Sequence, residues 1–415
     1  MPDLLIRNIR RLHQTRETPA GALRKSTGLS ELPFIPDAFL WIKDGHIEDF
    51  GSMNQCPQLR TNEMDLNGGQ DIIPGFVDSH THTVHPDSRE DEFVYKLKGL
   101  DYREIAARGG GILNSARKLQ ETSEDTLYRR SLSFCKEMMA NGTVALEIKS
   151  GYGLTVDAEL KMLRVIRRLK ESLPIPVKST FLGAHALPKA YKNNKSAYLQ
   201  LIRDEMLPNI EKEGLADYID IFCEKDFFSA EDTLNVIEWG EMFGLKAKIH
   251  TNQFNSIGGI EAAVKKNILS VDHLEVLDER EMDMLTDSDV LPVLLPGAAF
   301  FLRLPMPMVR NMIEKDLPIV LASDFNPGSS PSYSMSIMLA LACVEMRMLP
   351  NEAFNSATLN AAFALELQDQ LGSVSKGKRA NLCILKDGRG PGHIPYYFGS
   401  DSIAEVIING EVWGR

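Results

Sequence analysis

Positive charge, paired cysteine and long apolar runs are all scarce in this chain of 415 residues. Lysine and arginine number 46 against 57 acidic residues, giving a net charge of −11 at pH 7 and a pI near 5.4. A surface that binds phosphates needs clustered Lys and Arg, so nucleic acid and anionic membrane are excluded as main partners. The small basic cluster Arg164-Val165-Ile166-Arg167-Arg168 reads as a solvated helix face. The five cysteines, Cys56, Cys135, Cys223, Cys343 and Cys383, are odd in number and have no CxxC spacing. That excludes a disulfide framework and a structural zinc knot and implies buried thiols in a reducing compartment. No apolar run approaches membrane-spanning length, and Met1-Pro2-Asp3-Leu4-Leu5-Ile6-Arg7 lacks the basic segment and apolar core of a leader. A cytoplasmic protein is expected.

What is present, 43% hydrophobic and 25% charged residues, is an ordinary globular composition. The length accommodates a barrel of about 250 residues with a smaller appended domain. Leu4-Leu5-Ile6-Arg7-Asn8-Ile9 and Phe39-Leu40-Trp41-Ile42-Lys43 predict strands, with Asp44-Gly45 as a hairpin turn. Near the C-terminus Asn381-Leu382-Cys383-Ile384-Leu385 and residues 403–413, with Asn409-Gly410, read the same way. Between them, apolar strand candidates begin at Thr143, Val177, Tyr218, Leu245, Ile268, Leu291 and Ile319. Helical periodicity fills the gaps, for example over 157–171 and 234–243. So many βα units in one run predict an α/β fold, a (β/α)8 TIM-like barrel with a small β-sandwich formed from both termini. The expected boundaries are 1–72 and 367–415 for the sandwich and 73–366 for the barrel.

The chain is organised around Ile72-Ile73-Pro74-Gly75-Phe76-Val77-Asp78-Ser79-His80-Thr81-His82. Side chains at i and i+2 of a strand share a face, so His80 and His82 can reach one ion together. An isolated HxH is more often two ordinary histidines, but further polar residues close the predicted strands: Lys149, His185, His250, His273 and Asp324. Strand C-termini are where such barrels keep reactive groups. His80, His82, His250 and Asp324 make a mixed N/O set suited to one zinc or iron ion. Such an ion lowers the pKa of a water from 15.7 to about 7. Asp324 is placed to take that water's proton and His273 to relay it to a leaving nitrogen. Hydrolysis at an sp² carbon bearing nitrogen is the chemistry these residues permit.

The HxH segment, the later strand-end histidines and Ala322-Ser323-Asp324 resemble the amidohydrolase superfamily. Within it, Ser88-Arg89-Glu90, Gly109-Gly110-Gly111-Ile112-Leu113, Glu147-Ile148-Lys149-Ser150-Gly151-Tyr152-Gly153-Leu154, Phe181-Leu182-Gly183-Ala184-His185-Ala186, Leu294-Leu295-Pro296-Gly297-Ala298 and Ser323-Asp324-Phe325-Asn326-Pro327-Gly328-Ser329-Ser330 are similar, in order, to the imidazolonepropionase family. The resemblance implies hydrolysis of the ring amide of 4-imidazolone-5-propanoate to N-formimidoyl-L-glutamate, and a homodimer. It implies that Arg89 holds the propionate, a task suited to a planar fork of donors. It further implies that Tyr152 and His185 hydrogen-bond the ring, with His185 polarising the carbonyl, that Gln253 holds a ring nitrogen, and that Asn326, Gly328 and Ser329 contact substrate or product.

Three departures stand out. Thr251-Asn252-Gln253 replaces Ala-Asp-Glu, and Gln253 cannot act as a base, which moves that role onto Asp324 and His273. Val84-His85-Pro86-Asp87 replaces a more apolar stretch before Arg89. Lys149 is expected to be a plain amine outside a mononuclear metal site. A deaminase of heterocyclic bases is the rival enzyme, disfavoured because Gln253 stands where such enzymes carry a glutamate. A non-catalytic scaffold would be expected to lack a ligand, and none is lost. His13, His46, His85 and His393 take structural readings.

Overall fold

The first strands belong to the smaller of two sheets. In the computed structural model, which describes residues 3–17, 26–100, 104 and 110–414, β1 (Leu4–His13) pairs antiparallel with β2 (Phe34–Lys43) and β2 with β3 (His46–Ser52). β1 also pairs in parallel with β4 (Asn62–Asp65) and β5 (Asp71–Pro74). The Asp44-Gly45 turn takes positive φ at both residues, 49° and 78°. That is the primed hairpin whose twist suits the flanking strands.

At Gly75 the chain changes sheets. A side chain there would put its Cβ 2.3 Å from Val144 Cγ1, so only glycine lets the strand pass this close to its neighbour. The apolar run before the histidines is therefore two strands, β5 in the small sheet and β6 (Phe76–Asp78) in the large one. After β6 come β7 (Thr143–Lys149), β8 (Val177–Ala184), β9 (Tyr218–Cys223), β10 (Lys246–Thr251), β11 (Ser270–His273), β12 (Leu291–Leu294) and β13 (Val320–Leu321), each parallel to the one before. The barrel closes beyond the last formal strand. Asp324 N–H donates to His80 O at 3.0 Å, His82 N–H to Phe325 O at 2.8 Å, and Ser323 donates N–H and hydroxyl to the Asp78 carboxylate at 3.0 and 2.5 Å. The predicted alternation with helices holds, as in Val156–Ser172, capped by Thr155, and Ala230–Met242, opened by a capping box of Ser229 and Asp232. On the first of these helices Arg164 and Arg168 pair with Glu213 and Glu124 at 2.6 and 3.1 Å on a half-exposed face.

The chain then returns to the small sheet. β14 (Leu382–Leu385) pairs with β5, β15 (Ile403–Ile408) with β14, and β16 (Glu411–Trp413) with β15. Both termini thus build one eight-stranded mixed sheet, whose apolar residues, among them Ile6, Leu12, Leu40, Ile72, Leu382 and Ile407, form a cluster separate from the barrel's. The cysteines are free, with Cys135, Cys223 and Cys383 buried. Among the described residues no helix is long and apolar enough to cross a membrane.

Candidate active site

β7 is buried along its whole length yet carries Glu147 and Lys149, and β9, β10 and β11 add Asp220, Lys248 and Asp272. Charges fully removed from water must be paired. Lys149 Nζ lies 2.8 Å from Glu147 and 2.9 Å from Asp220, and Lys248 Nζ 2.7 Å from Glu147. Burial works against the Lys149 ammonium, but the three carboxylates around it outweigh that and hold its pKa above the usual value. Its proton is thus firmly held. This lysine is a charged amine bound to acids.

Above this layer three imidazoles converge. Suitable ring nitrogens of His80, His82 and His250, all buried, lie within 4.8 Å of one another. His80 Nδ1 sits 2.6 Å from Asp272 Oδ2, and His250 Nδ1 sits 3.0 Å from Asp220 Oδ2. The Asp272 carboxylate behind His80 is hydrogen-bonded to the ring and orients its other nitrogen, the usual support of metal-binding histidines, while Asp220 lies beside His250 as a charge partner. His80 Nε2 is buried with no hydrogen-bond partner, and His82 Nε2 and His250 Nε2 face each other at 3.4 Å. Asp324 Oδ1 lies 3.5 Å from both His80 Nε2 and His82 Nε2. Burial, then Lys149 and the other imidazoles crowded around them, keep His80 and His82 well below the usual imidazole pKa. Neutral rings with inward-facing lone pairs are what a metal ion requires, so the residues present fit one.

Burial pushes the Asp324 carboxyl up to about 7, against the pull of His273. His273 itself is raised, because Glu275 at 3.4 Å, Asp324 and Asp272 together outweigh its burial. Both residues have left-handed backbone, φ 52° for Asp324 and 95° for His273. Such strain at a non-glycine residue costs about 1–3 kcal/mol and persists only where the surroundings enforce it.

A cavity of about 190 Å³ opens over these groups, and Arg89, Tyr152, His185, Gln253, Gly328 and Ser329 also line it. Tyr152 is buried and its phenol pKa is raised by that burial; the Glu159 carboxylate accepts N–H from Gly151, Gly153 and Leu154 and so fixes its loop. The His185 ring stacks on His82 with centroids 5.3 Å apart. Its Nδ1 is 3.1 Å from the carbonyl of Gly151, and since a carbonyl only accepts, Nδ1 carries the hydrogen. Burial depresses this ring's pKa to about 3, so Nε2 is an acceptor. Polarising a substrate carbonyl, the role implied by resemblance, needs a hydrogen on Nε2; accepting a ring N–H does not. Asn326 is occupied with its own loop, donating to Asp324 O at 2.7 Å and accepting from the N–H of Gly328 and Ser329 at 2.8 Å each. It shapes the loop that brings Gly328 and Ser329 to the cavity.

Arg89 reaches this cavity despite the altered segment before it. His85 in that segment packs between Phe134 and Phe325, with centroids 5.3 and 5.5 Å away, and Asp87 pairs with Lys118 at 2.7 Å. Gly109 of the glycine motif lies outside the described residues; Gly111 donates to Glu92 at 2.9 Å. His13 is buried against Asp71 at 2.7 Å, His46 is exposed, and His393 stacks on Tyr397, all away from the site. Sequence reasoning missed Glu147, Asp220, Lys248 and Asp272. Their signal was present as charges inside otherwise apolar strands, such as Tyr218-Ile219-Asp220-Ile221-Phe222.

A profile of the amidohydrolase family matches residues 72–413. The imidazolonepropionase of Flavobacterium johnsoniae is 50% identical over 98% of this chain and 99% of its own length. That of Alkaliphilus oremlandii is 36% identical over 99% and 97%. Among solved structures, a triazine hydrolase variant superposes with TM-score 0.74 at 15% identity, over 99% of this chain and 94% of its own. Escherichia coli guanine deaminase does so with 0.73 at 17%, over the whole of both chains; at such identities the likeness is one of fold. The chain belongs to the amidohydrolase family and, within it, to the imidazolonepropionases.

Proposed function

We propose that this enzyme hydrolyses the ring amide C–N bond of 4-imidazolone-5-propanoate, releasing N-formimidoyl-L-glutamate, in histidine degradation. The observation that carries the reading is one cavity lined by both the His82, His250, His273 and Asp324 cluster and the Arg89 guanidinium, in a chain 50% identical to a named imidazolonepropionase. His80, His82, His250 and Asp324 would hold one zinc or iron ion. When bound, that ion supplies a water acidified from 15.7 toward about 7.

The chain's own groups do the rest. Asp324, whose carboxyl is poised at about 7, takes the proton as the water oxygen joins the carbonyl carbon. The C–N bond breaks, and His273, charged more readily than an ordinary histidine, delivers a proton to the departing ring nitrogen. Asp324 then passes the proton it took to His273, which restores both groups, so one water is consumed and the proton balance closes. His185 Nε2 accepts the ring N–H, Gln253 holds the other ring nitrogen, and Tyr152 donates its hydroxyl hydrogen to the substrate. Arg89 binds the propionate, with Asn326, Gly328 and Ser329 closing that side. With Gln253 in the place of a glutamate, no second carboxylate base is available there for a deaminase. The same reading makes the enzyme a cytoplasmic homodimer, which light scattering of the purified protein checks.

The decisive test follows the ultraviolet absorbance of freshly made 4-imidazolone-5-propanoate, with protein before and after metal removal. Metal-dependent decay yielding formimidoylglutamate is expected. A folded, metal-loaded sample that leaves the absorbance unchanged sinks the reading.

A further inference from the structure

We infer that Lys96 is a second cation for the substrate carboxylate, because it and Arg89 converge on Gly328 at the wall of the catalytic cavity with one carboxylate, Glu92, between them. The inference rests on the propanoate reading above and assigns a residue to its selectivity.

Arg89 stands at the N-cap of the helix Glu90–Leu97. Glu92 and Lys96 follow at i+3 and i+7, so all three share one face, and all three line the cavity. Glu92 is already committed. Its Oε2 accepts from Arg89 Nε at 2.8 Å and from Nη2, and its Oε1 from Gly111 N–H. Lys96 Nζ has a neutral partner instead, the Gly328 carbonyl at 3.0 Å, and its ammonium lies 5.5 Å from the Phe301 ring centre. Among the described residues no carboxylate forms an ion pair with it. Gly328 joins the two cations, because a Cβ there would lie 2.3 Å from Arg89 Nη1.

Among the described residues, two positive groups and one negative group leave one positive charge without a counter-ion, half out of water. Burial and then Arg89 push the Lys96 pKa below its ordinary value, as expected of a cation that lacks an anion. An ammonium has three donors, and Gly328 takes one. A carboxylate beside Gly328 receives the others together with Arg89 Nη1. One negative charge neutralises the pair, a neutral amide leaves it uncompensated, and a second negative charge overshoots. The site thereby selects a singly negative side chain.

The test uses the metal-loaded enzyme with Lys96→Met, Lys96→Gln and Lys96→Arg. KM and kcat are measured on 4-imidazolone-5-propanoate, and inhibition constants for 3-(imidazol-4-yl)propanoate and its carboxamide. For Lys96→Met, KM and the carboxylate's inhibition constant should rise about tenfold or more, the scale of a lost charge-assisted hydrogen bond. The carboxamide's constant and kcat should change little, and Lys96→Arg should recover most of the loss. Equal weakening of carboxylate and carboxamide overturns the inference, since Lys96 then merely ties the helix to Gly328. So does no weakening at all. If Lys96→Met fails to fold, Lys96→Gln and Lys96→Arg decide by the same ratio. A wild-type enzyme without turnover removes the propanoate reading, while the dissociation constants of the same carboxylate and carboxamide, measured by calorimetry, still judge Lys96.

Discussion

Two regions of this molecule bury a histidine against an aspartate, and one of them, at the barrel mouth, gathers further imidazoles around the pair. In the terminal sheet, His13 Nε2 lies 2.7 Å from Asp71, which Arg10 also holds at 2.6 Å. At the barrel mouth, His80 is held by Asp272 at 2.6 Å and His250 by Asp220 at 3.0 Å. The pairs look alike one at a time. Behind His13 the free nitrogen meets no second ligand atom and its ring packs on Phe34. In the barrel the free nitrogens of three rings come within 4.8 Å. An imidazole–carboxylate pair is therefore an ordinary way to bury a histidine, and convergence of several lone pairs on one point is what makes a metal centre.

The strongest way to break the comparison is Asp324→Asn. It should reduce turnover by about 10³-fold or more, the upper range for a lost general base, while circular dichroism shows an intact fold. Substantial remaining activity would remove Asp324 as the base. Next, Asp272→Asn and Asp220→Asn should each weaken metal retention by about 10–100-fold in chelator competition, whereas Asp71→Asn should leave it unchanged. Equal losses from all three would erase the distinction between the regions.

Asp71→Asn should instead lower stability by about 1–3 kcal/mol at pH 7, as a hydrogen-bonded buried charge is lost. Burial alone would raise the Asp71 carboxyl, but hydrogen bonds from His13 and Arg10 bring it below the ordinary value. A depressed acid stabilises the fold above its unfolded pKa, about 3.9, and that contribution disappears as pH falls through the lower folded value. The gap between wild type and Asp71→Asn in thermal melts should thus be full at neutral pH and close below about pH 4. A gap that widens on acidification contradicts the pairing. The smallest effect is expected from Gln253→Glu, which should keep its metal; metal loss measured by atomic absorption would place that loop within the metal site.

Much of this was legible in the chain. Alternation of apolar strands with amphipathic helices is a local signal, and the barrel, its strand-end histidines and both hairpins follow from it. The parts that were not legible depend on distant partners. His80 and Asp272 are 192 residues apart, and nothing near either one announces the other. The Pro-Gly pair punctuates the run from Ile72 to His82, but the change of sheet at Gly75 depends on Val144, on the neighbouring strand β7. Likewise the last strand was expected to run to Asp324 but ends at Leu321, because Asp78 and His80 draw Ser323 and Asp324 into the closing contacts. The contact of His185 Nδ1 with the Gly151 carbonyl, 34 residues earlier, is likewise invisible in the local sequence.

The joint at Gly75 also bears on how the protein is made. β5 leads directly into the strand whose continuation carries His80 and His82, yet one edge of β5 waits for β14, with Pro74 opposite Leu382. During synthesis the whole barrel emerges from the ribosome before that partner does. Until then the backbone immediately ahead of the catalytic strand has an unpaired edge, the kind of edge that recruits stray strands. β14 closes that edge in the finished fold, so a chain truncated before β14 would leave it open beside the barrel.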